Sequence, residues 1–171
     1  MIALLAALLL LPPQRSHAPI DSGRVAREVV AQFYAWYVPE AHRAGAEMRA
    51  LRDPRWHFSP ALMAALRADA AAAAASPGEI VGLDMDPFLN AQDPCHRYAP
   101  TGVRPAGKTF LVDVLGSGGC GSHRGPDVTV RIAITGGTPV FVNFLYPKPA
   151  DDDLVHLLAH LAADRTKQPR H

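Results

Sequence analysis

Three stretches of sequence decide the fold: TFLVDVL at 109–115, VTVRIAI at 128–134 and VFVNFLY at 140–146. In each of them apolar residues occupy alternate positions, which is the period of a β-strand with one buried face. TGGT at 135–138 predicts a tight hairpin between the last two. We therefore predict an antiparallel sheet whose buried face carries Phe110, Val112 and Val114, then Val128, Val130, Ile132 and Ile134, and finally Val140, Val142, Phe144 and Tyr146.

A helical pattern of apolar residues precedes these strands over 24–38, with aromatic side chains towards its end. Asp21 or Ser22 can cap its start. We expect Pro39 to end it, because proline removes a backbone N–H and disfavours helical backbone before it. A second, shorter helix or an irregular segment is expected over 40–55.

Two further helices are predicted, one before the strands and one after them. Ser59 and Pro60 form a cap and first-turn pair, followed by an apolar stripe and an alanine run at 70–75. The segment 151–164 begins with carboxylates, which suit a helix amino terminus, and carries a leucine stripe. A weaker strand is expected over 96–103. This order predicts an α+β domain in which helices pack on one face of the sheet.

The chain begins with the unbroken apolar run MIALLAALLLL at 1–11. It is shorter than the roughly 20 residues of a membrane-spanning helix and has the length of a signal-peptide core. Ser16 and Ala18 then supply the small residues of a cleavage site. We predict a signal peptide over 1–18, cleavage near Ala18, a single α+β domain over 19–171, no integral membrane segment in the mature chain, and a periplasmic or secreted location.

The composition excludes some classes of function. The chain has 171 residues and a formal net charge of +1, which is not the balance of a nucleic-acid-binding protein. The loop from Gly116 to Gly121 matches the G-x-G-x-x-G pattern, but a strand follows it where a dinucleotide site requires a helix. His156 and His160 have metal-binding spacing, yet they lie opposite the leucine stripe, where surface ion pairing is the ordinary role. We expect no cofactor and no metal.

Cys95 and Cys120 are the two cysteines of the chain. In an exported protein an even count favours a disulfide. A zinc site is the alternative, because His96 and His123 stand close to them in sequence. Adjacent residues of a strand point to opposite faces, which makes joint ligation by Cys95 and His96 awkward.

The densest polar segment is LDMDPFLNAQDP at 83–94. Its start resembles a calcium loop, but Leu89 replaces the required glycine and Cys95 the required glutamate, which excludes an EF-hand. We expect Phe88 and Leu89 to be buried beneath a carboxylate-rich loop. That loop either makes only turn and cap hydrogen bonds or faces a ligand.

Four segments in order resemble the exported bacterial family called domain of unknown function 3828: FYAWY at 33–37, FSPAL at 58–62, DMDPFLNAQD at 84–93 and VFVNFLYP at 140–147. The resemblance implies a fold similar to the nuclear transport factor two-like cone, with helices on a curved antiparallel sheet. In such a cone the first helix and the concave face of the sheet line a pocket. The implied ligand-binding residues are Tyr37, Asp86, Gln92, Asp93, Asn143 and Tyr146.

No complete catalytic constellation is visible in the sequence, and no G-x-S-x-G motif occurs. We therefore expect a non-enzymatic protein that binds a small molecule or another envelope protein. A cone-fold isomerase, dehydratase or hydrolase is an alternative, with Asp86 or Asp93 as general base and a raised carboxyl pKa. A third possibility is an immunity or inhibitor protein that presents the glycine-rich loop to a partner.

Overall fold

A computed structural model describes residues 19–76, 78, 81–120, 125–147 and 153–167. The predicted leader at 1–18, the carboxylates at 151–152 and His123 lie outside these residues. Among the described residues, no helix combines the length and the apolar character needed to cross a membrane.

Helices precede and follow one sheet. The helices are α1 (Pro19–Ala41), α2 (Ala46–Ala50), α3 (Pro60–Ala75) and α4 (Leu154–Lys167), and the strands between α3 and α4 are β1 (Arg97–Ala106), β2 (Thr109–Ser117), β3 (Val128–Thr135) and β4 (Thr138–Leu145). The strands pair antiparallel in the order β1-β2-β3-β4, and the sheet is curved and unclosed. This confirms the predicted α+β, cone-like fold, with amino-terminal helices on a curved antiparallel sheet and a carboxy-terminal helix.

The inward faces of β2 and β3 are those predicted, but β4 departs from strict alternation. Phe141 faces Ile132 and Asn143 faces Arg131, so one extra residue, Val142, lies in a β-bulge. The bulge moves the buried face, and Phe141 and Phe144 are both fully buried. The prediction that Val140 and Val142 share a buried face with Phe144 is therefore wrong, since alternation cannot reveal an inserted residue.

The first helix extends beyond both of its predicted ends. It begins at Pro19, so Asp21 and Ser22 lie in its first turn, and it passes through Pro39 to end at Ala41. Pro39 costs the helix only one hydrogen bond close to its end. Arg49 of α2 then donates to main-chain carbonyls at this end, at 3.2 Å for Glu40, 3.3 Å for Arg43 and 2.8 Å for Ala44. These bonds tie α2 to the end of α1 and to the turn after it, where the carbonyls of Glu40 and Arg43 also accept from backbone amides.

Aromatic side chains fill the space between α1 and the sheet. The ring of Phe33 is the centre of this cluster, with centroids of neighbouring rings between 4.9 and 6.4 Å away, and those neighbours are Tyr34, Trp36, Tyr37, Trp56, Phe58, Phe88, Phe141 and Phe144. The resemblance implied a pocket at this place. Within the described residues, packed rings occupy it instead, so a binding site has to be sought on the outside of this layer.

The outer edge of β4 is covered by the chain itself. His57 accepts from the amide of Phe141 and Ser59 donates to the carbonyl of Phe141, each at 2.8 Å. The Oγ of Ser59 also accepts from the amide of Leu62 at 3.3 Å, which confirms the predicted cap of α3. One short segment therefore protects a sheet edge and starts a helix.

Candidate functional site

An open cleft of about 680 Å³ lies between the turn after α1, the helix α3 and the loop that precedes β1. We name it the acidic cleft, because more carboxylates than cationic side chains line it. The carboxylates are Glu47, Asp69, Asp84 and Asp86, and the basic side chains are His42 and Arg43. The volume lies within the range of small-molecule sites, which is roughly 300–1,000 Å³.

Asp86 organises the inner wall of the acidic cleft. Its Oδ1 accepts from the amides of Phe88 at 2.9 Å and Leu89 at 3.0 Å, and its Oδ2 accepts from the hydroxyl of Tyr37 at 2.7 Å. Burial raises the pKa of the Asp86 carboxyl, although these hydrogen bonds oppose the rise. The result is a desolvated carboxylate in a fixed orientation. Phe88 and Leu89 are fully buried beneath it, as predicted.

Two more tyrosine hydroxyls hold the same loop from the core side. Tyr34 donates to the carbonyl of Phe88 at 2.7 Å, and Tyr146 donates to the carbonyl of Pro87 at 2.8 Å. Burial raises the pKa of both hydroxyls, so they remain neutral donors. Tyr37 and Tyr146, which were predicted as ligand-binding residues, thus position the loop. Tyr34 was missed, although it follows Phe33 on the aromatic face of α1.

Asp69 of α3 is a second carboxylate of the cleft and is buried, and sequence reasoning missed it. Its Oδ1 accepts from Arg165 of α4 at 2.6 Å, and its Oδ2 accepts from the amide of Leu83 at 3.0 Å. Gly82 lies against it with φ +94°, and a Cβ there would come within 2.6 Å of the carboxylate. The one available signal was an acidic residue isolated among the alanines of α3.

The other predicted residues are dispersed. Gln92 is exposed at the mouth of the cleft, where its amide donates to Asp84 at 3.3 Å. Asp93 is exposed and is not part of the cleft lining. Asn143 is buried elsewhere, and its Oδ1 accepts from the amides of Phe144 at 2.9 Å and Val155 at 3.3 Å. Asn143 therefore joins β4 to the start of α4.

The predicted disulfide between Cys95 and Cys120 is present, with 5.0 Å between the Cα atoms. The zinc alternative is wrong, because a disulfide leaves neither sulfur as a thiolate ligand. Among the described residues, no group of three or more His, Cys, Asp or Glu side chains is arranged to hold a metal. His156 is exposed and its Nδ1 lies 3.3 Å from Asp153, so the predicted surface position beside that carboxylate is confirmed.

The fold and the site together define a cone-like α+β protein. Its helices pack on one curved sheet, and an acidic cleft lies outside its aromatic core. No protein-family model, no curated protein and no solved structure matches the chain. The resemblance to the domain of unknown function 3828 stays a prediction.

Proposed function

We propose that this protein is an exported binding protein of the bacterial cell envelope whose acidic cleft takes a ligand bearing positively charged amines. The observation that carries the proposal is the unbalanced charge of the cleft. Among the described residues, Glu47, Asp84 and Asp86 have no cationic side chain within salt-bridge distance. A polyamine, or a lysine side chain of an envelope protein, supplies the missing charge.

Electrostatics in the cleft support this choice. Glu47 contributes to the raised pKa of the Asp86 carboxyl, so the two carboxylates repel one another across the cleft. A cation between them relieves that repulsion and lowers the pKa of Asp86. In contrast, Arg43 at the rim is engaged by Glu40 at 3.1 Å, which reduces its opposition to a cationic ligand.

The geometry favours binding over general-base catalysis. The alternative function requires a carboxylate with a raised pKa, and Asp86 has one. However, its oxygens already accept from a hydroxyl and two amides, which occupy three of about four lone-pair sites and leave only one, on Oδ2, for a proton transfer. Asp93, the other proposed base, is exposed outside the cleft. We therefore assign Asp86 to shaping the cleft and to its negative charge.

The predicted export is supported by the disulfide, which belongs to an oxidising compartment. The protein expressed with its own amino terminus in a bacterium should be recovered from the periplasm or medium. Its amino-terminal sequence should then begin at Pro19 or close to it. Recovery from the cytoplasm with Met1 retained would contradict the export proposal without bearing on the cleft.

Calorimetric titration with spermidine tests the ligand class. We expect saturable binding that weakens as salt rises, because ions screen exposed charges. Glu47→Gln combined with Asp84→Asn should weaken it about tenfold or more. The matched control is Glu28→Gln, which removes an exposed carboxylate paired with Arg24 outside the acidic cleft.

Equal affinity of the double variant and the unaltered protein would refute the acidic cleft as the site. The absence of heat with both spermidine and a lysine-rich peptide would refute the amine class. The inhibitor alternative depends on the glycine-rich loop at 116–121, of which 116–120 are described, and it stays a prediction.

A further inference from the structure

A second cleft, of about 420 Å³, lies where the outer flank of α1, the segment before α3 and the turn between β3 and β4 meet. Two tryptophans and an arginine are grouped beside it, and we name it the indole cleft. Its lining has an apolar part and a polar part. The apolar residues are Val25, Val29, Trp56 and Pro139, and the polar residues are Glu28, Gln32, Arg55, His57 and Thr138.

The guanidinium of Arg55 lies over both indoles. Its guanidinium carbon lies 5.0 Å from the ring centroid of Trp36 and 5.4 Å from that of Trp56. Asp53 fixes the group from the side, accepting from Nε at 2.9 Å and from Nη2 at 2.5 Å. The Nη1 donors of Arg55 make no hydrogen bond within the described residues, and the side chain is 55% exposed. A planar donor group of fixed orientation therefore borders the cleft.

Trp56 forms part of the wall of the indole cleft and is largely buried. Its residue is 7% exposed, and its Nε1–H has no acceptor within the described part of the chain. Buried donors are almost always paired in folded proteins. The Nε1 atom is itself inaccessible to solvent, so Trp56 contributes to the cleft through the part of its ring that lines it.

We propose that the indole cleft binds a pyranose saccharide, a function separate from that of the acidic cleft. A pyranose ring has an apolar face of C–H groups and a rim of hydroxyls. Val25, Val29 and Pro139 match the first, while the planar polar side chains of Gln32 and Arg55 match the second. Planar amide and guanidinium groups can bind neighbouring hydroxyls with two parallel hydrogen bonds.

Tryptophan fluorescence tests this proposal directly, because the chain contains two tryptophans and both belong to this cluster. We would titrate the purified protein with chitobiose and with cellobiose. We expect a saturable change in emission with at least one of them. Gln32→Ala and Thr138→Ala, both of exposed residues, should raise the dissociation constant about tenfold together.

Two controls separate the clefts and the ligand classes. The Glu47→Gln, Asp84→Asn double variant of the acidic cleft should bind the disaccharide as the unaltered protein does, so this proposal can fail or succeed independently of amine binding. Sodium acetate at the same concentration should leave the emission unchanged. An equal response to acetate, an unchanged dissociation constant in the Gln32→Ala, Thr138→Ala variant, or no response to either disaccharide would overturn the assignment.

Discussion

Asp69 and Asp86 line the same cleft, but their hydrogen-bond partners differ in charge. Asp69 accepts from the guanidinium of Arg165, which neutralises its charge. Asp86 accepts only from neutral groups, the hydroxyl of Tyr37 and the amides of Phe88 and Leu89. A carboxylate with a cationic partner can link two helices across the molecule, whereas one with neutral partners keeps its charge for a ligand. We expect the two to respond differently to substitution and to pH.

The largest effect is expected at the paired carboxylate. Asp69→Asn leaves the partly buried Arg165 without its counter-charge, and removing one partner of a buried pair costs about 3 kcal/mol. Urea unfolding measures the loss of the free energy of unfolding. Asp164→Asn is the matched control, because its pair with Lys167 is exposed and should contribute little. Similar losses in the two variants would show that Asp69 is not the link between α3 and α4.

A smaller effect is expected at the partner of Asp86. Tyr37→Phe removes a hydrogen bond to a partly buried carboxylate, and we expect a loss of about 1.5–3 kcal/mol in the free energy of unfolding. Tyr34→Phe removes a bond to the neutral carbonyl of Phe88 and should cost about 1 kcal/mol. If Tyr34→Phe proved the more harmful, the charge of Asp86 would not be what Tyr37 stabilises.

The smallest effect is expected in the pH dependence of stability. Because burial raises the pKa of Asp86 above its ordinary value of 3.8, its protonated form favours the folded state. That contribution is complete below pH 3.8 and is lost as pH rises through the raised pKa. Asp86→Asn should therefore gain stability relative to the unaltered protein over this interval, by about 1.4 kcal/mol for each unit by which the pKa is raised.

Urea unfolding at several pH values from about 3 to about 7 measures the difference in stability between Asp86→Asn and the unaltered protein. Asp153→Asn is a control for which the pH dependence should have the opposite sign. Burial tends to raise the pKa of Asp153, but hydrogen bonds and the neighbouring His156 outweigh it and lower that pKa. The stability that Asp153 contributes is present above its ordinary pKa and is lost as pH falls through the lowered one. Parallel pH curves for Asp86→Asn and the unaltered protein would contradict the raised pKa. Saturating spermidine should reduce the difference at Asp86.

Much of the fold could be predicted because its signals are local. The inward faces of β2 and β3, the Ser59 cap and the burial of Phe88 follow from residues within a few positions of one another. The bulge at Val142 could not be predicted, because it depends on the register against β3. The continuation of α1 through Pro39 could not be predicted either. It is accompanied by a hydrogen bond from Arg49, in the next helix, to a carbonyl at the end of α1.

The candidate site was predictable only in part. Asp86 and Gln92 lie at the acidic cleft because the polar segment that contains them forms one of its walls. Asp69 is separated by 96 residues from Arg165, and no local pattern connects the two. Asn143 has a polar side chain in a strand, but its role became visible only through its contact with the amide of Val155.

The sequence by itself determined the α+β order and the antiparallel sheet, since periodicity and turn residues act over short distances. The even cysteine count favoured a disulfide, and the structure excluded the zinc alternative. Only the tertiary structure decided where a ligand can enter. The rings around Phe33 fill the space beneath α1, and the open clefts form outside it. The physical reason is close packing, because the combined volumes of side chains from distant segments determine whether a space between two layers is filled or left open.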